Sequence, residues 1–142
     1  MAYMDQNLVM SDAQAVTSTA VSTKSIDTAT ALRNLGSGQD VQIICTVPTA
    51  FTAGGAATMT IALQDSADNS SFADVLVSPA IAVATLVAGY EAFRVRVPYT
   101  TRRYIALNYT IATGPMTGGA ITSFLDLDRQ DNVARPSGYT VG

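Results

Sequence analysis

Apolar and polar residues alternate with a period of two along much of the chain, the pattern of strands with one face in a core and one in water. In Val41-Gln-Ile-Ile-Cys-Thr-Val47 the residues Val41, Ile43, Cys45 and Val47 share a face. Residues 57–64 repeat the pattern with Met59, Ile61 and Leu63 inward. Over 92–97, Phe93, Val95 and Val97 alternate with Arg94 and Arg96. Residues 103–112 put Ile105, Leu107, Tyr109 and Ile111 together, and 120–128 do the same with Ile121, Leu125 and Leu127. Weaker strand signals lie at 14–23, 72–77 and 81–86.

Between these runs stand turn formers: Gly36-Ser-Gly38, Gly54-Gly55, Asp68-Asn69-Ser70, Gly89, Gly114-Pro115 and Gly118-Gly119. The chain is rich in Val, Ile and Thr, which lose side-chain freedom in helices and pack well on pleated sheets. An all-β fold follows: a β-sandwich, jelly-roll-like, with extended N- and C-terminal arms. The expected organisation is an arm over 1–13, the sandwich domain over 14–128 and a second arm over 129–142. Neither end sustains an alternation, and Pro136 and Gly138 discourage regular structure in the last segment. Tyr139 and Val141 are odd residues to leave in water, so the C-terminal arm is expected to lie along a neighbouring subunit.

Composition narrows the class of function. A chain of 142 residues can bury a core of its own without disulfide or metal staples. Charged residues make up 13% of it, where soluble proteins average about 25%. A charged, mixed surface resists unwanted association, so a surface this poor in charge suits one covered by partners. The net charge of −3 supplies no broad cationic field for nucleic acid phosphates. The N-terminus lacks the basic start and apolar run of a secretory signal, and no stretch reaches the ~18 apolar residues of a membrane span. The expectation is a soluble protein made in the cytoplasm, with no nucleic acid and no membrane among its partners.

Candidate chemistry is sparse. The chain has no histidine, which removes imidazole ligands and the usual general base for serine or cysteine nucleophiles. Cys45, the single cysteine, sits on an inward strand face with no base to activate it. Glu91 stands alone, and Asp126 with Asp128 reads as the solvated side of an edge strand rather than a catalytic pair. Asp65-Ser-Ala-Asp-Asn-Ser-Ser71 clusters oxygen atoms, but without the spacing of a calcium loop it reads as a hairpin turn. No enzyme, no cofactor and no metal site are expected. Arg94, Arg96, Arg102 and Arg103 hold half of the basic charge within ten residues. If strands 92–97 and 103–112 were neighbours, these guanidinium groups would share one sheet face and its margin. That arrangement reads either as a solvated face or as a docking patch for carboxylates. Candidate interface residues are therefore Arg94, Arg96, Arg102 and Arg103, with Arg135, Tyr139 and Val141 from the arm.

Several segments also match, in order and spacing, a known group of proteins: Ser11-Asp-Ala-Gln-Ala15, Arg33-Asn-Leu-Gly36, Gly55-Ala-Ala-Thr58, Leu63-Gln-Asp-Ser66 with Asp68-Asn69, Arg103-Tyr104, Leu107-Asn-Tyr109 and Gly114-Pro115. Together they resemble the capsid cement, or decoration, proteins of short-tailed phages. The resemblance covers residues 11 to about 128. It implies a jelly-roll or related sandwich on the outer surface of the virion, bridging major capsid protein subunits and stabilising the shell without catalysis. It also implies self-association, for which a closed dimer is expected ahead of a trimer. The competing expectation keeps the fold but makes the chain a head-to-tail connector, tail or fibre-tip module, with carbohydrate binding as one variant. The absence of tryptophan weakens that variant.

Overall fold

The two-residue alternation becomes two antiparallel sheets whose apolar faces meet. The computed structural model describes residues 5–31, 40–99 and 101–127. In chain order the strands are β1 (Val9–Ala15), β2 (Ala20–Val21), β3 (Ile26–Asp27), β4 (Gln42–Ala53), β5 (Thr58–Ser66), β6 (Ala73–Val77), β7 (Ile81–Ala82), β8 (Glu91–Arg96), β9 (Tyr104–Ala112) and β10 (Met116–Asp126). Helical structure among the described residues is limited to single turns, including α1 (Thr28–Ala31).

One sheet runs β1-β10-β4-β8. The other runs β2-β9-β5-β6, with β3 also on β9 and β7 also on β5. Because β2 with β3, and β6 with β7, are halves of interrupted edge strands, each sheet has four strand positions. Nearly every connection crosses from one sheet to the other, and the first and last strands lie side by side. This is the strand order of a jelly roll, the topology that the periodicity left open beside a simpler sandwich.

The core holds the residues that alternation placed inward: Ile43, Cys45 and Val47 on β4, Met59, Ile61 and Leu63 on β5, Ile105, Leu107 and Tyr109 on β9, and Ile121 and Leu125 on β10. Phe93 and Val95 pack on its margin, opposite the outward Arg94 and Arg96.

Four expectations change. The proposed N-terminal arm is, from Val9 on, a strand paired with β10. Its alternation is hidden by a bulge: Val9 faces Phe124 and Ser11 faces Ser123, so Met10 is an inserted residue and two successive side chains turn inward. The weak run 14–23 is not one strand, since β1 ends at Ala15 and the chain crosses to β2 in the opposite sheet. Asp126 is half-buried at the end of β10, an interior strand and not an edge. Leu127, expected inward, lies past that strand's end and is 57% exposed.

Two strands also run longer than predicted, for steric reasons. β4 continues past Pro48 to Ala53 because a register shift against β10, between Ala120 opposite Thr49 and Thr122 opposite Thr46, spares the proline a ladder bond. β10 begins at Met116 and includes Gly118-Gly119. Gly119 has φ +122°, and a Cβ there would sit 2.4 Å from the Phe51 ring.

Candidate docking surface

The two sheets are tied across the core by a chain of hydroxyl groups. Tyr109 projects from β9, fully buried, with its hydroxyl 2.9 Å from both Ser11 Oγ on β1 and Ser123 Oγ on β10. Ser11 donates its one hydrogen to Gln14 Oε1 at 2.7 Å. It follows that Tyr109 donates to Ser11 and Ser123 donates to Tyr109. Gln14 completes the chain by accepting from Thr23 N–H and donating from Nε2 to the Val21 carbonyl, which binds β1 to the opposite sheet. Burial pushes the Tyr109 phenol well above its ordinary pKa, and the nearby Cys45 adds to this, so it stays a neutral donor.

On this frame the four arginines separate. β8 pairs with β4 in one sheet and β9 with β5 in the other, so the common face that would have joined them does not form. Arg94 and Arg96 project from the outer face of the first sheet. Arg94 Nε donates to Gln42 Oε1 at 2.7 Å, and its guanidinium lies 4.0 Å from Glu91. Arg96 stands 3.6 Å from Asp40. The Arg96 and Asp40 side chains are 52% and 64% exposed, those of Arg94 and Glu91 30% and 31%.

Arg102 and Arg103 stand at the entrance to β9. Arg102 donates from Nε to Asp65 Oδ1 at 2.8 Å, from its backbone N–H to Oδ2 at 2.9 Å, and from Nη2 to the Asp65 carbonyl at 2.7 Å. Burial by itself would raise the Asp65 pKa, but the side-chain and backbone hydrogen bonds and the charge of Arg102 outweigh it and hold the carboxyl below its ordinary value. Arg103 grips Asp27 with Nε and Nη2, both at 2.8 Å, and lies over the Tyr104 ring. Arg102 therefore shapes the loop before β9, while Arg94 and Arg96 place basic groups on the outer face of the other sheet. Arg135, Tyr139 and Val141 lie outside the described residues.

The remaining chemical candidates resolve into structure. Asp68 turns back on its own loop, accepting from the backbone N–H of Ser71, the Ser66 hydroxyl and the Ser70 N–H, which hold its pKa far below the ordinary carboxylate range. Among the described residues, no three side chains of the His, Cys, Asp and Glu set are grouped to hold a metal ion. Cys45 is fully buried; desolvation, helped by the charge of Glu91, raises its thiol pKa far above normal.

One surface feature escaped the alternation. Val9, Ile44 and Phe124 form a second apolar cluster on the outer face of the β1-β10-β4-β8 sheet, in the row that ends at Arg94. The signal was in the sequence as consecutive apolar residues, Ile43-Ile44-Cys45 and Phe124-Leu125, which mark strands covered on both faces.

Strand order and core together define a jelly-roll β-sandwich whose two sheets are bridged by buried hydroxyl groups. The model of the Bbp16 family matches residues 10–125, and the chain belongs to that family, which is phage-derived. No curated protein matches the chain.

Proposed function

We propose that this protein is a structural component of the virion that binds the outside of an assembled capsid, bridges major capsid protein subunits and stabilises the shell, without catalysing a reaction. Membership of a phage-derived family over residues 10–125 carries the proposal. The jelly roll, the scarcity of charge and the segment resemblance to cement proteins support it.

Physically, cementing is linkage. A protein that binds the assembled shell better than its separated subunits stabilises the shell by the difference in binding free energy. Many modest contacts repeated over a particle add up without any one being strong. A rigid sandwich suits this role because little order has to be gained on docking. Arg94 and Arg96, on the outer face of the sheet, supply the salt-sensitive part of the contact through carboxylates on the capsid. The protein acts as a homo-oligomer, with a dimer expected first.

The test is to add purified protein to capsids that lack it. Saturable binding in many copies, with a gain in resistance to heat or low salt, is expected. Arg94→Ala with Arg96→Ala should weaken binding and flatten its salt dependence. Failure to bind, or binding with no gain in shell stability, would overturn the proposal. A handful of copies confined to one vertex would place the protein instead at a connector or fibre.

A further inference from the structure

The outer face of the second sheet carries a cleft that shell binding through Arg94 and Arg96 does not use. Gln64 on β5 and Ala106 on β9 are register partners. Their chain neighbours Leu63, Ile105 and Leu107 fill the core, so Gln64 and Ala106 turn to the opposite face. Two connections flank this pair: residues 22–25 between β2 and β3, and residues 67–72 between β5 and β6. They are tied to each other where Ser25 Oγ donates to Asn69 Oδ1 at 2.6 Å. The space between them is about 380 Å³, within the roughly 300–1,000 Å³ typical of small-molecule sites. The short side chain of Ala106 helps to keep it open.

The lining selects the ligand. Among the described residues that line the cleft none is charged, so a phosphate or carboxylate would find no counter-charge there. Asn69 commits its amide oxygen to Ser25, and Gln64 commits its nitrogen to Asp74 at 2.7 Å. The Asn69 Nδ2 donor and the Gln64 Oε1 acceptor meet no partner among the described residues. A wholly apolar ligand would take water from both amides and give nothing back. Half-buried Phe72 adds an aromatic wall beside them. We propose that this cleft binds a neutral saccharide. A sugar ring offers a C–H face to Phe72, and its hydroxyls, each both donor and acceptor, satisfy Asn69 Nδ2 and Gln64 Oε1 together. Phe72 thus supplies the platform that the missing tryptophan would otherwise provide. The cleft lies on the sheet that does not carry Arg94 and Arg96, and the inference stands independently of shell binding.

Titration of the isotope-labelled full chain with neutral hexoses, N-acetylhexosamines and their disaccharides, followed by NMR, tests this. At least one of these sugars should shift the Asn69 and Gln64 side-chain amide signals saturably. Phe72→Ala should weaken that binding by at least about tenfold. Asn69→Gly removes the amide while keeping the positive φ of 60° accessible, and should weaken binding in a protein that still folds. No saturable shift with any sugar of the panel would overturn the proposal. So would an Asn69→Gly protein that binds the sugar as tightly as the parent. Amide signals that respond to inorganic phosphate and to no sugar would assign the cleft to an anion and equally overturn it.

Discussion

Removing the phenolic oxygen of Tyr109 probes whether the hydroxyl chain holds the two sheets together. Tyr109→Phe keeps the ring and its packing, so no cavity opens beyond the lost oxygen. What changes is Ser123, which is fully buried and loses the acceptor 2.9 Å away for its hydroxyl hydrogen. Ser11 is affected less, because its own hydrogen goes to Gln14 and it loses only an incoming donor. An unsatisfied buried hydroxyl costs about 1–3 kcal/mol, so Tyr109→Phe should destabilise by about that amount. For a chain of this length each kcal/mol corresponds to a fall of roughly 2–4 °C in Tm. Urea denaturation should show a lower midpoint with an unchanged slope, because the surface exposed on unfolding is the same. The decisive comparison is the double variant Tyr109→Phe with Ser123→Ala. Deleting both partners leaves no orphan, so the double variant should regain part of the stability lost in the single one. A double variant that simply sums the two single losses, or a Tyr109→Phe protein as stable as the parent, would refute the reasoning.

Three further outcomes follow from other contacts. Asp65→Asn should destabilise at neutral pH by about 1–3 kcal/mol through loss of charged hydrogen bonds, toward the lower figure because the Arg102 side chain is 43% exposed. Since the folded-state pKa of Asp65 lies below its unfolded value of about 3.9, its contribution is complete above that pH. It is lost as pH falls through the lower folded pKa, so parent and Asp65→Asn stabilities should converge in acid, and a constant gap down to pH 2 would contradict this. Gly119→Ala should cost about 1–3 kcal/mol in backbone strain, plus displacement of Phe51. Gly54→Ala, which meets nothing within 4 Å, should leave the urea midpoint nearly unchanged. Cys45 should resist thiol reagents in the native protein and react at the rate of global unfolding; fast labelling at neutral pH without denaturant would contradict its burial.

The sequence by itself determined the class of fold and the inner face of most strands. Met59, Ile61, Leu63, Ile105, Leu107 and Tyr109 point inward as their spacing requires, because a strand offers only two sides and water sorts them. It could not determine which strands become neighbours. Residues 92–97 and 103–112 are close in the chain but belong to opposite sheets, and only that assignment decides that Arg94 and Arg96 face one surface while Arg102 and Arg103 clamp another. The bulge at Met10 and the register shift at Pro48 were hidden for a related reason. Each inserts a residue that breaks the period locally, and is tolerated only because a particular partner strand accommodates it. The second apolar cluster was half legible: consecutive apolar residues announced that β4 and β10 are covered on both faces, but not what covers them. Pattern reports the polarity of each side of a strand, and tertiary structure decides what lies against it.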